Sequence, residues 1–210
     1  MTLSGLQIAQ VHALVKAPNI GQRYLPPESL IQIINRSKKL GLYQVIGKSF
    51  LGRDIGRVTL GHGSFVILAW SQMHGNESTT TRALVDIFQF LTQREHHLSF
   101  IESFLASCTL NIVFQLNPDG AKLFTRENAT GYDINRDAIE CSQPESKILK
   151  TLIDHIKPNL CLNCHDQRSL YSLDDSLNPP NISFLAPSID EDAGINKARF
   201  KSINWINNGL

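Results

Sequence analysis

The sequence lacks an excess of charge of either sign: 20 Lys+Arg against 19 Asp+Glu leave a formal net charge of +1. Such a balance excludes a global field that would draw the chain to nucleic acid or to an anionic membrane surface. Long hydrophobic runs are also missing. The longest apolar stretch, Phe65 to Trp70, is far too short to cross a bilayer. Met1 to Lys16 holds scattered apolar residues without a basic segment ahead of an apolar run or a small-residue cleavage site, so no secretory leader is expected. Cysteine is sparse: Cys108, Cys141, Cys161 and Cys164 do not make a disulfide framework for a chain of 210 residues. These absences lead us to expect a soluble, cytoplasmic protein with reduced thiols. No repeat or low-complexity tract is present, and 42% hydrophobic content over 210 residues fits one domain, 1–210, with a full core.

What is present alternates between two periodicities. Pro26-Pro27-Glu28 opens a helical pattern that runs to Gly41. Leu42 to Phe50 and Asp54 to Leu60 read as a hairpin joined by Leu51-Gly52-Arg53. Ser64 to Gln72 and Thr109 to Leu116 are apolar runs of the kind found in strands covered on both faces. Ser78 to His97 and Pro144 to Lys157 carry helical spacing, and Leu160 to Cys164 is a further strand ending at His165. The order predicts an α/β fold with a mixed, mostly parallel sheet and helices on both faces. From Ser169 to Asp192 the chain is rich in Ser, Asp, Asn and Pro, with Ile182 to Leu185 strand-like and a helix expected over Ile195 to Ile206.

Three motif loops follow strand ends, where open α/β sheets bind ligands. In the first, His74 and Glu77 are three apart, a spacing that lets an imidazole and a carboxylate face one metal ion. Gly75 between them is read as giving a sharp turn. Of the remaining histidines, His165 is best placed to supply a third ligand. His96, His97 and His155 read as solvated helical residues, and His62 as a turn residue. Cys161-Leu162-Asn163-Cys164-His165 also has the form of a c-type haem attachment site. Against haem, the segment reads as a strand, and Met1 and Met73 are the only methionines. Asn117-Pro118-Asp119-Gly120 is an ideal turn sequence that positions its loop.

Taken with Thr125-Arg126-Glu127-Asn128 and Gly131-Tyr132-Asp133-Ile134-Asn135-Arg136-Asp137, these motifs resemble the zinc carboxypeptidase family in kind and order. The resemblance spans Met73 to Asp166. It implies a three-layer α/β/α fold, one Zn2+ held by His74, Glu77 and His165, and hydrolysis of a C-terminal peptide bond by a zinc-activated water. It also implies that Arg126 stabilises the oxyanion and that Asn135 and Arg136 hold the free carboxylate of a peptide or peptide-like substrate. A planar guanidinium fork suits both tasks. Two departures accompany it. Asp137-Ala138 replaces the family's more usual Asn after the Asn-Arg pair, so that Asp137 is expected either to make the pocket more acidic or to brace Arg136. The family's general-base glutamate lies in a late strand, and Glu191, the sole glutamate after His165, stands in a polar loop that does not read as such a strand, so the base is expected to be missing. The implied reading is of a fold incomplete at the C-terminus, with self-association through an exposed sheet edge. An N-acyl amino acid deacylase of aspartoacylase type and a catalytically silent zinc-binding module are the alternatives.

Overall fold

The structure, a computed structural model, describes residues 5–17, 20, 22–93 and 98–166. The chain divides into two units, residues 14–166 and residues 1–13 with 167–210. Of the second, the described residues are 5–13, part of a helix α1 (Gly5–Val15) that the sequence reading did not anticipate. The expected strand at Ile182 to Leu185, the helix at Ile195 to Ile206, Glu191, His96 and His97 lie outside the described residues.

In the larger unit a 3-10 turn (Pro27–Leu30) leads into α2 (Ile31–Lys39), with Pro27 in its first position, where a missing N–H costs nothing. There follow β1 (Tyr43–Lys48), β2 (Asp54–Gly61), β3 (Phe65–Trp70), α3 (Thr79–Gln93), α4 (Leu98–Ser107), β4 (Cys108–Val113), α5 (Pro118–Leu123), α6 (Pro144–Ile156) and β5 (Leu160–Asn163). The five strands form one mixed sheet in the order β1-β2-β4-β3-β5. β1 and β4 each run antiparallel to β2, whereas β3 runs parallel to both β4 and β5. Four of the five strands therefore share a direction, and β2 alone is reversed.

Strict alternation along the strands gives each helical layer its own half of the core. Ile67 and Ala69 of β3 and Leu110 and Ile112 of β4 face a cluster built with Leu84, Val85 and Phe88 of α3 and Ile101 and Leu105 of α4. Leu68 and Trp70 of β3 and Val113 of β4 face the other way, onto Leu149 and Leu152 of α6. Helices thus cover both faces of the sheet. Phe88 is fully buried, edge-to-face with Phe114 at 6.1 Å between ring centroids. Burying a ring of that size contributes about 2–3 kcal/mol. No helix among the described residues is long and apolar enough to cross a membrane.

One register sets the position of everything that follows. Trp70 at the end of β3 stands opposite Val113 of β4 and Asn163 of β5. The residues after those three parallel strands therefore emerge along one edge of the sheet, the carboxyl edge.

Candidate metal centre

At that edge the chain leaves β3 through Ser71 and Gln72. Gln72 is buried and held in the left-handed region at φ 43°, a conformation that costs a side-chain-bearing residue of order 1 kcal/mol or more. Its amide shows what offsets this. Nε2 donates to the carbonyls of Leu25 (3.2 Å) and Gly75 (2.8 Å), and Oε1 accepts from Thr81 (2.9 Å) and Gln115 (2.8 Å). The loop that follows is pressed against a second loop, because a Cβ on Gly75 would lie 1.9 Å from the carbonyl carbon of Gly120. Gly75, read from the sequence as a turn residue, is thus required by the close approach of two backbones. Asn117 completes the junction: its side chain accepts from the Gly120 amide (2.8 Å), capping α5, and donates to the Met73 carbonyl (3.3 Å). The Asn-Pro-Asp-Gly run is a helix start as well as a turn.

Held in this way, His74 is 2% exposed. His74 Nδ1 lies 2.9 Å from Glu77 Oε1, His165 Nδ1 lies 2.8 Å from Glu77 Oε2, and the two Nδ1 atoms are 3.1 Å apart. The three side chains are the one group of His, Cys, Asp and Glu among the described residues whose ligand atoms gather within 4.8 Å. Burial of Glu77 works against its charge, but the hydrogen bonds and charges of His165 and His74 outweigh it and hold its carboxyl at about 2.

Asp133, for which sequence reasoning assigned no role, faces the other side of His74. His74 Nε2 lies 3.0 Å from Asp133 Oδ1; with the ring proton on Nε2, donated to that carboxylate, the Nδ1 lone pair is directed at Glu77 and His165. With that tautomer, two imidazole nitrogens and a carboxylate point at one small volume, an arrangement that asks for a proton or a cation between them. The donor types and the spacing, close to the roughly 3.3 Å between ligands of a tetrahedral zinc, fit that ion. Burial opposes ionisation of Asp133, and His74 and Arg126 overcome it, so its carboxyl is held below the usual range.

Arg126 spans the two acids. Its Nε donates to Asp133 Oδ2 (3.0 Å) and its Nη1 to Glu77 Oε1 (3.3 Å). Its loop is tied by Asn128, whose Oδ1 accepts from the amides of Thr130 and Tyr132 (3.0 Å each) across Gly131 at φ 81°. Asn128 Nδ2 donates to Glu145 (3.1 Å), a fully buried carboxylate at the start of α6 that also accepts from the Phe50 amide. The Asn135 and Arg136 amides both point at Asp133 Oδ1, at 2.9 and 3.4 Å. Asn135 Oδ1 accepts from Asn163 at 3.4 Å, and the Arg136 side chain is exposed.

Asp137 has a role other than either expected. It is 6% exposed and accepts from the Ser142 and Gln143 amides and the Ser142 hydroxyl, at 2.9, 2.9 and 2.6 Å. It therefore braces the approach to α6 and neither lines the pocket nor pairs with Arg136. Those bonds overcome burial and hold its carboxyl at about 2. Relative to an unfolded value near 3.9, a lowered folded value gives stability that is present above about pH 4 and lost as the pH falls toward 2. Asp137→Asn should cost about 2 kcal/mol in urea unfolding at pH 6, with the difference from the parent vanishing near pH 2. An undiminished difference in acid would contradict this assignment.

Cys161 and Cys164 are reduced, and burial pushes both thiols up, which disfavours a thiolate role.

The zinc carboxypeptidase family model matches residues 28–150, more than half of the chain. The chain belongs to the zinc carboxypeptidase family. The matched span contains His74, Glu77, Arg126, Asn135 and Arg136, while His165 lies beyond it. Among curated relatives, Probable carboxypeptidase 2 of Arthroderma benhamiae is 24% identical over 105 residues, covering 49% of this chain and 19% of the relative. A solved metallo-carboxypeptidase from Burkholderia cenocepacia superposes with a TM-score of 0.61 at 19% identity, covering 69% of this chain and 42% of that one. The metallo-carboxypeptidase from Pseudomonas aeruginosa, solved with (2-guanidinoethylmercapto)succinic acid, gives 0.58 at 23% identity, covering 69% and 41%. This zinc carboxypeptidase family chain therefore spans less than half the length of those solved structures and about a fifth of that curated relative.

Proposed function

We propose that the chain is a zinc carboxypeptidase acting on peptides or peptide-like substrates with a free C-terminal carboxylate. The observation that carries the reading is the convergence of His74, Glu77 and His165 beside Arg126. Those three residues would hold the zinc, which supplies a Lewis acid and lowers the pKa of a water at its open position. Asp133 fixes the His74 tautomer, so that Nδ1 faces the ion. Arg126, aimed by Asp133 and Glu77, presents its guanidinium where charge builds on the carbonyl oxygen under attack. Asn135 and the exposed Arg136 lie on the same loop. A directional amide and a planar fork there suit a terminal carboxylate. The Pseudomonas aeruginosa metallo-carboxypeptidase, whose ligand is a succinic acid derivative, supports a carboxylate-reading site. Glu191, the sole glutamate after His165 and a poor match to the general base that the resemblance asks for, lies outside the described residues.

The test is the purified chain with zinc restored, assayed on N-blocked peptides with free and with amidated C-termini. Release of the last residue from the free form alone is expected. Equal cleavage of both, or hydrolysis of N-acyl amino acids only, would sink the proposal, and zinc uptake without turnover would favour the silent module. Arg126→Ala should lower kcat by about 100- to 1,000-fold, read alongside zinc content so that loss of metal is not mistaken for loss of oxyanion stabilisation.

A further inference from the structure

His165 is the least supported of the three converging residues by the sheet alone. It stands two residues past β5, a four-residue strand that is exposed along its whole length and, among the described residues, pairs only with β3. The last residues of such a strand are the ones expected to fray. Yet His165 Nδ1 is 2.8 Å from Glu77, so something beyond the β5 ladder holds it.

The bonds on either side of His165 identify the anchor. Before it, the Cys164 amide donates to the Trp70 carbonyl (2.9 Å), and the Cys164 carbonyl accepts from the Thr80 hydroxyl (3.2 Å). After it, the Asp166 carboxylate accepts from the Thr79 amide (2.9 Å), the Thr79 hydroxyl (2.9 Å) and the Thr80 amide (3.3 Å). The Asp166 amide donates to Glu77 Oε2 at 3.3 Å. Thr79 and Thr80 are the first two residues of α3. Their amides have no partner within the helix and sit at the positive end of its dipole. Arg82 donates to the Thr79 hydroxyl (3.3 Å) and adds a positive charge on the same side. A carboxylate 87 residues away in sequence thus caps the helix that starts two residues after Glu77, with His165 between the two points of attachment.

We propose that Asp166 is the positioning residue of the third zinc ligand: by capping α3 it fixes His165 against Glu77 before the metal arrives. The proposal rests on the zinc reading above. It assigns Asp166 no contact with substrate or ion. Its effect is preorganisation, the saving of ordering cost at the moment of binding.

The experiment measures zinc affinity by competition with a chromophoric chelator, together with the melting temperature of the zinc-free protein. Asp166→Ala should weaken zinc binding about 10- to 100-fold, the range for partners that orient a ligand, while the zinc-free melting temperature falls by only a few degrees. Asp166→Asn should recover most of the affinity, because asparagine caps a helix about as well as aspartate. Thr79→Val should give a smaller loss that is not additive with Asp166→Ala. Parental affinity in Asp166→Ala, whatever its melting temperature, overturns the proposal, as does an Asp166→Asn variant as weak as the alanine one. If the parent chain takes up no zinc, the carboxypeptidase reading falls and this proposal falls with it. If the parent binds zinc and Asp166→Ala binds equally, only the proposal falls.

Discussion

Replacing His74 with alanine is expected to weaken zinc binding by at least about 100-fold. The size follows from spreading roughly 12 kcal/mol of zinc affinity over four ligand positions, about 3 kcal/mol for each. His74 should lie at the upper end of such losses, because it is 2% exposed and held by Asp133, so that its loss removes a buried, already oriented donor and leaves the Asp133 carboxylate without that partner. Chelator competition on the parent and variant decides the matter. An affinity within about threefold of the parent would mean that the metal is held elsewhere.

The largest loss of stability is expected at Asp119, in the segment packed against the His74 loop. Its carboxylate is fully buried and accepts from the Ser49 hydroxyl (2.9 Å), the Leu51 amide (2.9 Å) and the Arg53 guanidinium. It therefore pins the turn between β1 and β2 onto the segment that caps α5 and contacts Gly75. The Arg53 bond at about 1.5–3 kcal/mol, with the two other bonds to the same carboxylate at no less than about 1 kcal/mol each, predicts a loss of about 3.5–5 kcal/mol in Asp119→Ala. The Leu51 amide and Ser49 hydroxyl would be left without their acceptor, which keeps the figure from the low end. Urea unfolding of the zinc-free chain at pH 7 measures it. A loss under about 1 kcal/mol would show that the turn holds itself.

Residue type and spacing made much of the site legible. The convergence of His74, Glu77 and His165 was legible because residue types able to hold a metal have distinctive chemistry and because each follows a run with strand character. The sheet was legible for a related reason: β3 is a continuous apolar run, β4 carries enough apolar residues to read as a buried strand, and α3 and α6 show helical spacing. The residues that were missed share a different property, since their roles lie in what they face and not in what they are. Asp133 sat in plain view beside Asn135, yet a carboxylate in a loop has many uses, and only the 3.0 Å contact with His74 selects one. Asp166 and Glu145 act across 87 and 95 residues of sequence, a range over which local pattern carries no information. Gln72 breaks local preference by adopting a left-handed backbone, and its four hydrogen bonds appear only once β3, β4 and the segment at Leu25 are assembled. Asp137 was misread because its position next to Arg136 invited a pairing, whereas its actual partners lie five and six residues on.

Among the described residues β5 borders the sheet, and this has a consequence for the order in which the centre is made. His74 and Glu77 are near neighbours in the chain and come off the ribosome together, but His165 follows 88 residues after Glu77, two residues past β5, the last described strand in the chain. Until that strand docks beside β3, a nascent chain offers the ion two ligands, and such a pair holds it weakly. On the proposed zinc reading, tight metal capture would wait for that docking, and zinc retention would report on whether the sheet has been closed as far as β5.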